Sequence, residues 1–305
     1  MKNDVGKSIV DILISEEGRD KKIVFLPYKI EMWDSMESIY TECINNGLNA
    51  KIHPVEYTVY MDTHSRYTTK DTWFDSENKI TYREFLDFNP DIIIFHYPFD
   101  DYNRVTAMPT KYLSHNLKKQ GRKLVYVPYH GSWILQKEMM LPAVLSSDYM
   151  FVSSEDIKSY CESIWRIQRV NFCPKVFATG TPKSDKIYRS GLSNCNTLIS
   201  NSLIPFLDDT NRVYKYMKIA RQEMDDGRNV IFRPHPLLHQ TLSAMRAERL
   251  AEYERFLEWL KREGAIIDTN INFEDTVSNC CKIYCDGGSI LDICSKAGIA
   301  IQLIH

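Results

Sequence analysis

The chain has 305 residues, of which 44% are hydrophobic and 26% are charged, as is usual for a soluble globular protein. Its formal net charge of −2 excludes nucleic-acid binding through a global basic field. No apolar run reaches the roughly 18 residues that a membrane-spanning helix needs.

The N-terminal segment predicts a helix and excludes a signal peptide. Residues 1–22, MKNDVGKSIVDILISEEGRDKK, carry acidic residues inside the apolar stretch and lack a small-residue cleavage site. Val5, Ile9 and Leu13 fall at helical spacing, which predicts an amphipathic lead-in helix within residues 1–20. Without a secretory signal, the eight cysteines predict free thiols in a reducing cytoplasm.

Short apolar strands then alternate with helical patterns, which predicts parallel, doubly wound α/β sheets. A first series of strands is predicted at residues 22–27, 51–55, 90–98, 123–128 and 148–153. A second series is predicted at residues 175–180, 197–200, 229–233, 265–268, 282–286 and 299–303. The two series indicate a first domain over residues 21–170 and a second over residues 171–305.

Two stretches do not fit this alternation. Glu56 to Thr81 is rich in Tyr, Thr, Asp and Trp without either period, which indicates an acceptor-binding insertion or a structural flap. Lys118, Lys119, Arg122 and Lys123 form a basic cluster, compatible with an anionic contact surface or with a solvated helix end.

Residues suited to binding phosphate follow two strands of the second domain, where ligands of open parallel sheets bind. In FRPHP, Arg233 offers a planar fork of donors, His235 adds more, and the two prolines fix their position. In CDGGSILDI, Gly287 and Gly288 allow close approach of a ligand, and Ser289 begins a predicted helix whose amides suit a diphosphate. A glycine pair is also common in ordinary βα turns.

ATGTPKSD, residues 178–185, also follows a predicted strand and opens a helix. Thr181, Lys183 and Asp185 are candidates for the same sheet edge, and the alternative is a well-capped βα turn. In the first domain, His130 follows a strand within PYHGSW, and histidine titrates near neutrality. His130 is therefore a candidate general base, with a satisfied structural histidine as the alternative.

The sequence lacks a convincing site for a metal. The cluster of Cys280, Cys281, Cys285 and Cys294 does not have the spacing of a zinc site, and core packing accounts for it better. No carboxylate pair of the DxD type lies in a convincing loop. We therefore expect a metal-independent site without cofactors.

In order and approximate spacing, PYHGSW, TGTPKSD, FRPHP and CDGGSILDI resemble motifs of the CDP-glycerol glycerophosphotransferases of teichoic-acid synthesis. The resemblance spans about Lys22 to the C-terminus, and FRPHP is its most specific element. It implies a GT-B-like architecture of two Rossmann-like domains with an interdomain cleft. The first domain would contribute acceptor contacts and a base, and the second would bind the CDP-activated donor.

The resemblance also implies residue roles. His130 would deprotonate the acceptor hydroxyl, and His235 would act with Arg233 on the donor diphosphate. Gly287, Gly288 and Ser289 would bind the same diphosphate. The residues implied to line the cleft are Gly131, Thr181, Lys183, Asp185 and Asp286.

The implied function is transfer of glycerol phosphate, or a related polyol phosphate, from a CDP-activated donor to a lipid-linked or polymer acceptor, with release of CMP. Peripheral contact with the inner face of the cell membrane is implied as well. The chain ends just after a predicted strand, which indicates either a shortened member or part of a longer protein.

Departures from the family pattern leave two alternatives open. Lys183 replaces an arginine, Gly288–Ser289 replaces a serine pair, and Ser132–Trp133 replaces Thr-Pro. One alternative is a GT-B glycosyltransferase that uses a nucleotide sugar and attacks carbon. The other is a non-catalytic domain that binds nucleotide or polymer.

Overall fold

The computed structural model divides the chain into two compact units, Met1–Lys186 and Ile187–His305. The residues that the structure describes are 4–60, 66–68, 77–99, 106–119, 121–130, 136–186, 196–235, 238–270, 273–287, 290–291, 294 and 299–304.

The first unit alternates strands with helices, as the sequence predicts. Its elements are α1 (Val5–Glu17), β1 (Lys22–Leu26), α2 (Glu37–Asn45), β2 (Asn49–Ile52), β3 (Thr58–Tyr60), β4 (Arg66–Thr68), α3 (Tyr82–Phe88), β5 (Ile92–Phe95), β6 (Thr106–Ala107), α4 (Ser114–Lys118), β7 (Lys123–Tyr126), α5 (Pro142–Leu145), β8 (Tyr149–Val152), α6 (Glu155–Ile167) and β9 (Lys175–Ala178).

A six-stranded sheet in the order β2-β1-β5-β7-β8-β9 forms the centre of this unit, and its strand pairs are parallel. All four residues of β5, and likewise of β8, are buried, as expected for strands covered on both faces. The strand order reverses between β1 and β5, so the topological switch point lies there.

Strand β9 corrects the predicted domain boundary. β9 pairs with β8 as the edge strand of the first sheet, so it does not begin the second series. The division falls after Lys186, not at Val170. The apolar run of β9 resembles that of the other strands, and a run alone does not say which sheet it joins.

Helix α1 is part of the first unit and not a separate lead-in element. Ile9, Val10 and Leu13 are buried in the core of this unit, and α1 packs against α2. The approach is close at Gly6, where an added Cβ would lie 2.6 Å from the carbonyl carbon of Ser38.

The stretch from Glu56 to Thr81 contains secondary structure, although its sequence shows neither the helical nor the strand period. β3 pairs antiparallel with both β4 and β6 in a small three-stranded sheet. Residues 61–65 and 69–76 lie outside the described residues. Its proposed acceptor role stays a prediction.

The second unit is also α/β. Its elements are β10 (Asn196–Ser200), α7 (Leu203–Asp208), α8 (Arg212–Asp225), β11 (Asn229–Arg233), α9 (Leu238–Met245), α10 (Ala247–Arg262), β12 (Ile266–Ile267), α11 (Phe273–Ser278), β13 (Cys280–Cys285) and β14 (Ala300–Leu303).

A parallel five-stranded sheet in the order β12-β11-β10-β13-β14 forms its centre. Apolar clusters cover both faces, one around Phe232 and Phe256 and the other around Ile231 and Ile283. The strand order reverses between β10 and β13, which places the switch point of this sheet between those strands.

The cysteines match the sequence prediction only in part. Cys280, Cys285 and Cys294 are buried free thiols in one core cluster, as predicted. Cys281 is disulfide-bonded, so the prediction of free thiols is wrong for this residue. Within the described part of the chain, no helix has the length and apolarity to cross a membrane.

Candidate functional site

A carboxylate holds the candidate base His130. Nε2 of His130 lies 2.9 and 3.0 Å from the two carboxylate oxygens of Glu138, which is buried. Because an ionised carboxylate only accepts hydrogen bonds, Nε2 carries the proton and Nδ1 presents its lone pair. Nδ1 is buried and has no hydrogen-bond partner among the described residues. Nδ1 is therefore the ring nitrogen of His130 that could serve as a proton acceptor.

Two tyrosines complete this arrangement. The Tyr126 hydroxyl donates to Oε1 of Glu138 at 2.6 Å, which fixes the carboxylate. Burial, with Glu138 nearby, raises the pKa of Tyr126 well above its usual value, so Tyr126 remains a donor. The ring of Tyr129 packs edge-on against His130, with the centroids 4.8 Å apart. Burial and the Glu138 charge raise the pKa of Tyr129 to about 12.

His96 lies at the switch point of the first sheet and has a structural role. Its Nε2 accepts from the backbone N–H of Tyr28 at 2.9 Å, and its Nδ1 lies 2.9 Å from the Ser35 hydroxyl. Burial and the nearby Lys183 charge lower its pKa to about 3, so His96 is neutral. Because both nitrogens are occupied, His96 is a poor candidate base.

The ATGTPKSD stretch lies in the first unit, not beside FRPHP in the second domain as predicted. The Asp185 carboxylate accepts hydrogen bonds from the first two backbone N–H groups of α1. Val5 donates to Oδ1 at 2.8 Å and Gly6 donates to Oδ2 at 2.7 Å. Lys183 pairs with Asp34 at 2.8 Å. The hydroxyls of Thr179 and Thr181 are buried without a hydrogen-bond partner in the described structure, so neither side chain is held by the contacts seen there.

In the second unit, Arg233 is held by an acid and an aromatic ring. Its guanidinium lies 2.5 Å from Oδ2 of Asp268 and stands over the Phe273 ring at 5.1 Å. Asp268 also accepts from the Thr276 hydroxyl at 2.7 Å. The guanidinium is therefore oriented but partly neutralised, and the sequence analysis did not identify this acidic partner.

His235 continues from Arg233 at the end of β11. Its backbone N–H donates to Oδ1 of Asn201 at 3.0 Å, which ties the β11 exit to the β10 exit. Burial lowers its pKa below the ordinary histidine value. Neutral imidazole is thus the favoured form of His235.

Asp286 and Gly287 follow β13 at the switch point of the second sheet. Asp286 accepts from the Ser202 backbone N–H and the Tyr216 hydroxyl, both at 2.8 Å, and lies 3.1 Å from Arg212. Asp286 therefore braces the strand ends. Gly287 has φ +116°, and an added Cβ would meet nothing within 4 Å, so conformation and not space selects glycine here. Gly131, Gly288 and Ser289, also predicted, lie outside the described residues.

Sequence reasoning missed two acids, Glu138 and Asp268. Glu138 lies in a short 3-10 turn, Glu138–Met140, with no periodic pattern to draw attention to it. Asp268 directly follows β12, which is the neighbour of β11 in the sheet, and Arg233 ends β11. A correct prediction of the strand order would therefore have placed Asp268 beside Arg233. Among the described residues, no group of His, Cys, Asp and Glu side chains is arranged to hold a metal ion. The metal-independent site stays a prediction.

Several solved structures share this fold. UDP-GlcNAc 2-epimerase from Neisseria meningitidis, bound to UDP-GlcNAc, is 11% identical, with TM-score 0.59 over 93% of this chain and 82% of that one. The Methanocaldococcus jannaschii UDP-GlcNAc 2-epimerase is 11% identical, with TM-score 0.58 over 92% and 83%. The wall teichoic acid polymerase TagF is 12% identical, with TM-score 0.52 over 97% and 73%.

Together with the two parallel sheets, these similarities confirm the predicted GT-B-like fold. Identities this low bear on the fold alone, because one fold hosts many functions. No protein-family model matches the sequence, and no curated protein matches it. The resemblance to CDP-glycerol glycerophosphotransferases therefore stays a prediction.

Proposed function

We propose that the chain is a transferase that moves glycerol phosphate, or a related polyol phosphate, from a CDP-activated donor to a hydroxyl acceptor. The observation that carries the proposal is the pairing of His130 with Glu138, which leaves Nδ1 of His130 buried and without a partner among the described residues. A carboxylate that fixes the tautomer of an imidazole is the usual way to position a general base.

The reaction needs one proton acceptor and one stabilised leaving group. The acceptor oxygen attacks the β-phosphorus, and its proton passes to Nδ1 of His130. The new O–P bond forms as the bond from the β-phosphorus to the bridging oxygen breaks, and CMP leaves with that electron pair. Charge grows on the phosphoryl and leaving oxygens, so fixed donors lower the barrier.

We assign donor binding to the second unit. Arg233 offers the guanidinium nitrogens that do not face Asp268, and His235 lies two residues further along the chain. Gly287 follows β13 at the switch point, where ligands of doubly wound sheets bind. Asp268 and Phe273 hold the guanidinium before a ligand arrives, which reduces the ordering cost of binding.

A nucleotide-sugar enzyme is the second candidate. The Neisseria meningitidis structure is bound to UDP-GlcNAc, and its TM-score of 0.59 exceeds the 0.52 of TagF. Such an enzyme would use the same diphosphate-binding residues. In a glycosyltransferase, however, the acceptor hydroxyl would attack the sugar carbon, and a nucleoside diphosphate would leave.

Donor specificity distinguishes the candidates. The full chain would be screened by thermal shift against CDP, CDP-glycerol, CDP-ribitol, UDP and UDP-GlcNAc. Stabilisation by CDP-polyols, and CMP release when a hydroxyl acceptor is added, would support the proposal. Preference for UDP-GlcNAc would replace it with the second candidate. CDP-glycerol binding without turnover over a broad acceptor panel would point to a binding module.

Substitution of His130 tests the catalytic assignment. We expect His130→Ala to lower turnover by about 10²- to 10⁴-fold, which is the usual contribution of general-base catalysis. His239→Ala is the matched control, because His239 is exposed and pairs only loosely with Glu254 at 3.4 Å. Undiminished activity in His130→Ala would remove the base assignment.

A further inference from the structure

Glu138, the acid that orients His130, lies on a turn with a limited local frame. The turn spans three residues, Glu138–Met140, and closes with the Leu141 N–H donating to the Glu138 carbonyl at 3.0 Å. Short 3-10 segments have poorer hydrogen-bond geometry than an α-helix. The place of the Glu138 carboxylate therefore depends on the elements of the first unit that pack against this turn.

Trp165 of α6 supplies a hydrogen bond to the turn from a distant part of the chain. Its indole Nε1–H donates to the backbone carbonyl of Met139 at 2.9 Å, across 26 positions in the sequence. Trp165 is 2% exposed, and Met139 is fully buried. Because the indole has a single donor and both groups are buried, no other part of the ring replaces this bond, and its loss leaves a buried carbonyl without that donor.

The same face of α6 also reaches the Glu138 carboxylate. Cys161 lies four residues before Trp165, so the two side chains share one face of the helix. Burial, followed by the nearby Glu138 charge, raises the pKa of the Cys161 thiol to about 12. Helix α6 therefore contacts the turn at its backbone through Trp165 and lies close to its carboxylate at Cys161.

The contact between Glu138 and His130 is sensitive to small movements of the turn. Both carboxylate oxygens lie within 3.0 Å of Nε2 of His130, and the Tyr126 hydroxyl donates to one of them at 2.6 Å. Hydrogen bonds weaken steeply outside such geometry, and misplacing a group by about 1 Å can lower a rate about 10²-fold. Tyr126 holds a carboxylate oxygen, whereas Trp165 holds the backbone beside Glu138, so the two constrain different ends of one residue.

We propose that Trp165 is a positioning residue for His130: its indole holds the Glu138–Met140 turn where Glu138 can fix the tautomer of the imidazole. Trp165 acts through Met139 and Glu138. Its part in turnover rests on the proposed function, but the location of the proton on His130 does not depend on which reaction the chain catalyses. That location is measurable without any substrate.

The other titratable groups coupled to Glu138 do not obscure such a measurement. In the described structure they are the phenols of Tyr126 and Tyr129 and the thiol of Cys161. The pKa of Tyr129 and that of Cys161 are each raised to about 12, and the pKa of Tyr126 lies well above its usual value. All three groups are neutral near pH 8, so a change at His130 at that pH reports the position of Glu138.

Nitrogen-15 NMR of the full chain locates the proton. At about pH 8 an ordinary histidine is neutral, and the shifts of its two ring nitrogens show which one is protonated. The spectrum of His130→Ala identifies the His130 signals. We expect the Nε2–H form in the wild type, and a mixture with the Nδ1–H form in Trp165→Phe, which keeps an aromatic ring but loses the donor.

Two control variants separate this effect from lost packing. Trp259→Phe makes the same substitution at a buried tryptophan of the second unit, and Ile164→Val trims a buried side chain next to Trp165 on α6. Both should keep the wild-type tautomer of His130. A change of tautomer in Ile164→Val as large as in Trp165→Phe would assign the effect to loosening of α6 and overturn the proposal.

Turnover by a double variant shows whether Trp165 acts through Glu138. Trp165→Phe alone should lower kcat about tenfold with the KM for the donor unchanged, because donor binding is assigned to the second unit. Added to Glu138→Gln, it should lower kcat no further, since residues that act through one contact are not independent. Losses that multiply would assign Trp165 to general packing and overturn the proposal.

The tautomer decides the proposal separately from the reaction. An unchanged tautomer in Trp165→Phe would overturn the positioning role, and so would an Nδ1–H form in the wild type. A change of tautomer in Trp165→Phe, in a chain that does not turn over CDP-glycerol, would support the positioning role while removing the proposed function.

Discussion

Glu138 contacts Nε2 of His130 with both of its carboxylate oxygens, at 2.9 and 3.0 Å, and the Tyr126 hydroxyl donates to one of those oxygens at 2.6 Å. The two residues are eight positions apart in the chain. His130 follows the end of β7, and Glu138 begins a short 3-10 turn. This contact orients His130 and leaves Nδ1 as its ring nitrogen without a partner among the described residues.

Glu138→Gln should lower turnover about 10- to 100-fold with little change in the KM for the donor, because the amide no longer fixes one tautomer of His130. A shifted pH profile of kcat would distinguish lost positioning from general damage. Glu254→Gln is the matched control, since Glu254 contacts the exposed His239. An unchanged kcat and pH profile in Glu138→Gln would show that His130 does not depend on this contact.

Arg233→Lys should weaken CDP-glycerol binding by about tenfold or more, because lysine keeps the charge but loses the planar fork. Asp268→Asn should weaken it in the same direction, since Asp268 orients the guanidinium. Isothermal titration measures both, with the exposed Arg255→Lys as control. If Asp268→Asn instead tightened binding, neutralisation of Arg233 by Asp268 would outweigh its orienting effect.

Asp286→Asn should destabilise the second unit by about 3 kcal/mol, the scale for breaking a buried charge pair. The substitution removes the charge opposite Arg212 and replaces one of the two carboxylate oxygens with an amide NH2, which then faces either Arg212 or the donors of Tyr216 and Ser202. Urea unfolding of the full chain measures the loss. Asp226→Asn, at a largely exposed carboxylate, should have little effect, and equal losses in the two variants would contradict the bracing role.

Glu223 makes the second unit sensitive to acid. Burial alone would raise its pKa, but hydrogen bonds from Lys282, Tyr284, Thr197 and Arg228 outweigh burial and lower it from 4.5 to about 2. A lowered folded-state pKa contributes stability above the unfolded-state pKa, and this contribution is lost as pH falls through the folded value.

Wild type should therefore lose stability between about pH 5 and pH 2, and Glu223→Gln should lose less over the same window. Urea midpoints across that range provide the measurement. Glu258→Gln, at an exposed side chain with no hydrogen bond in the described structure, should keep the wild-type slope. A wild-type slope in Glu223→Gln would assign the acid sensitivity to other groups.

Asp185→Ala should cost about 1 kcal/mol of stability in the first unit, in line with the loss of a helix cap. The amides of Val5 and Gly6 would lose their acceptor. Hydrogen exchange of the α1 amides should speed up in the variant. The neighbouring Lys186→Ala removes only an ion pair with Glu37 and serves as the control; equal exchange rates in both variants would refute the capping role.

Local patterns predicted the strands because buried parallel strands are short, continuous apolar runs, as in β5 and β8. They could not assign β9 to a sheet, since pairing is set by contacts distant in sequence. The same limit applies to the site. Arg233 and His130 were visible as unusual residues after strands, whereas their partners Asp268 and Glu138 became visible only through the arrangement of the chain.

The cap on α1 has a consequence for biosynthesis. Val5 and Asp185 are 180 residues apart, so α1 is synthesised long before the carboxylate that accepts hydrogen bonds from its first amides. Chains interrupted before Asp185 would expose the amides and the apolar face of α1. Such chains would be distinguishable from finished ones by the quality-control machinery of the cell, through the exposed end of α1.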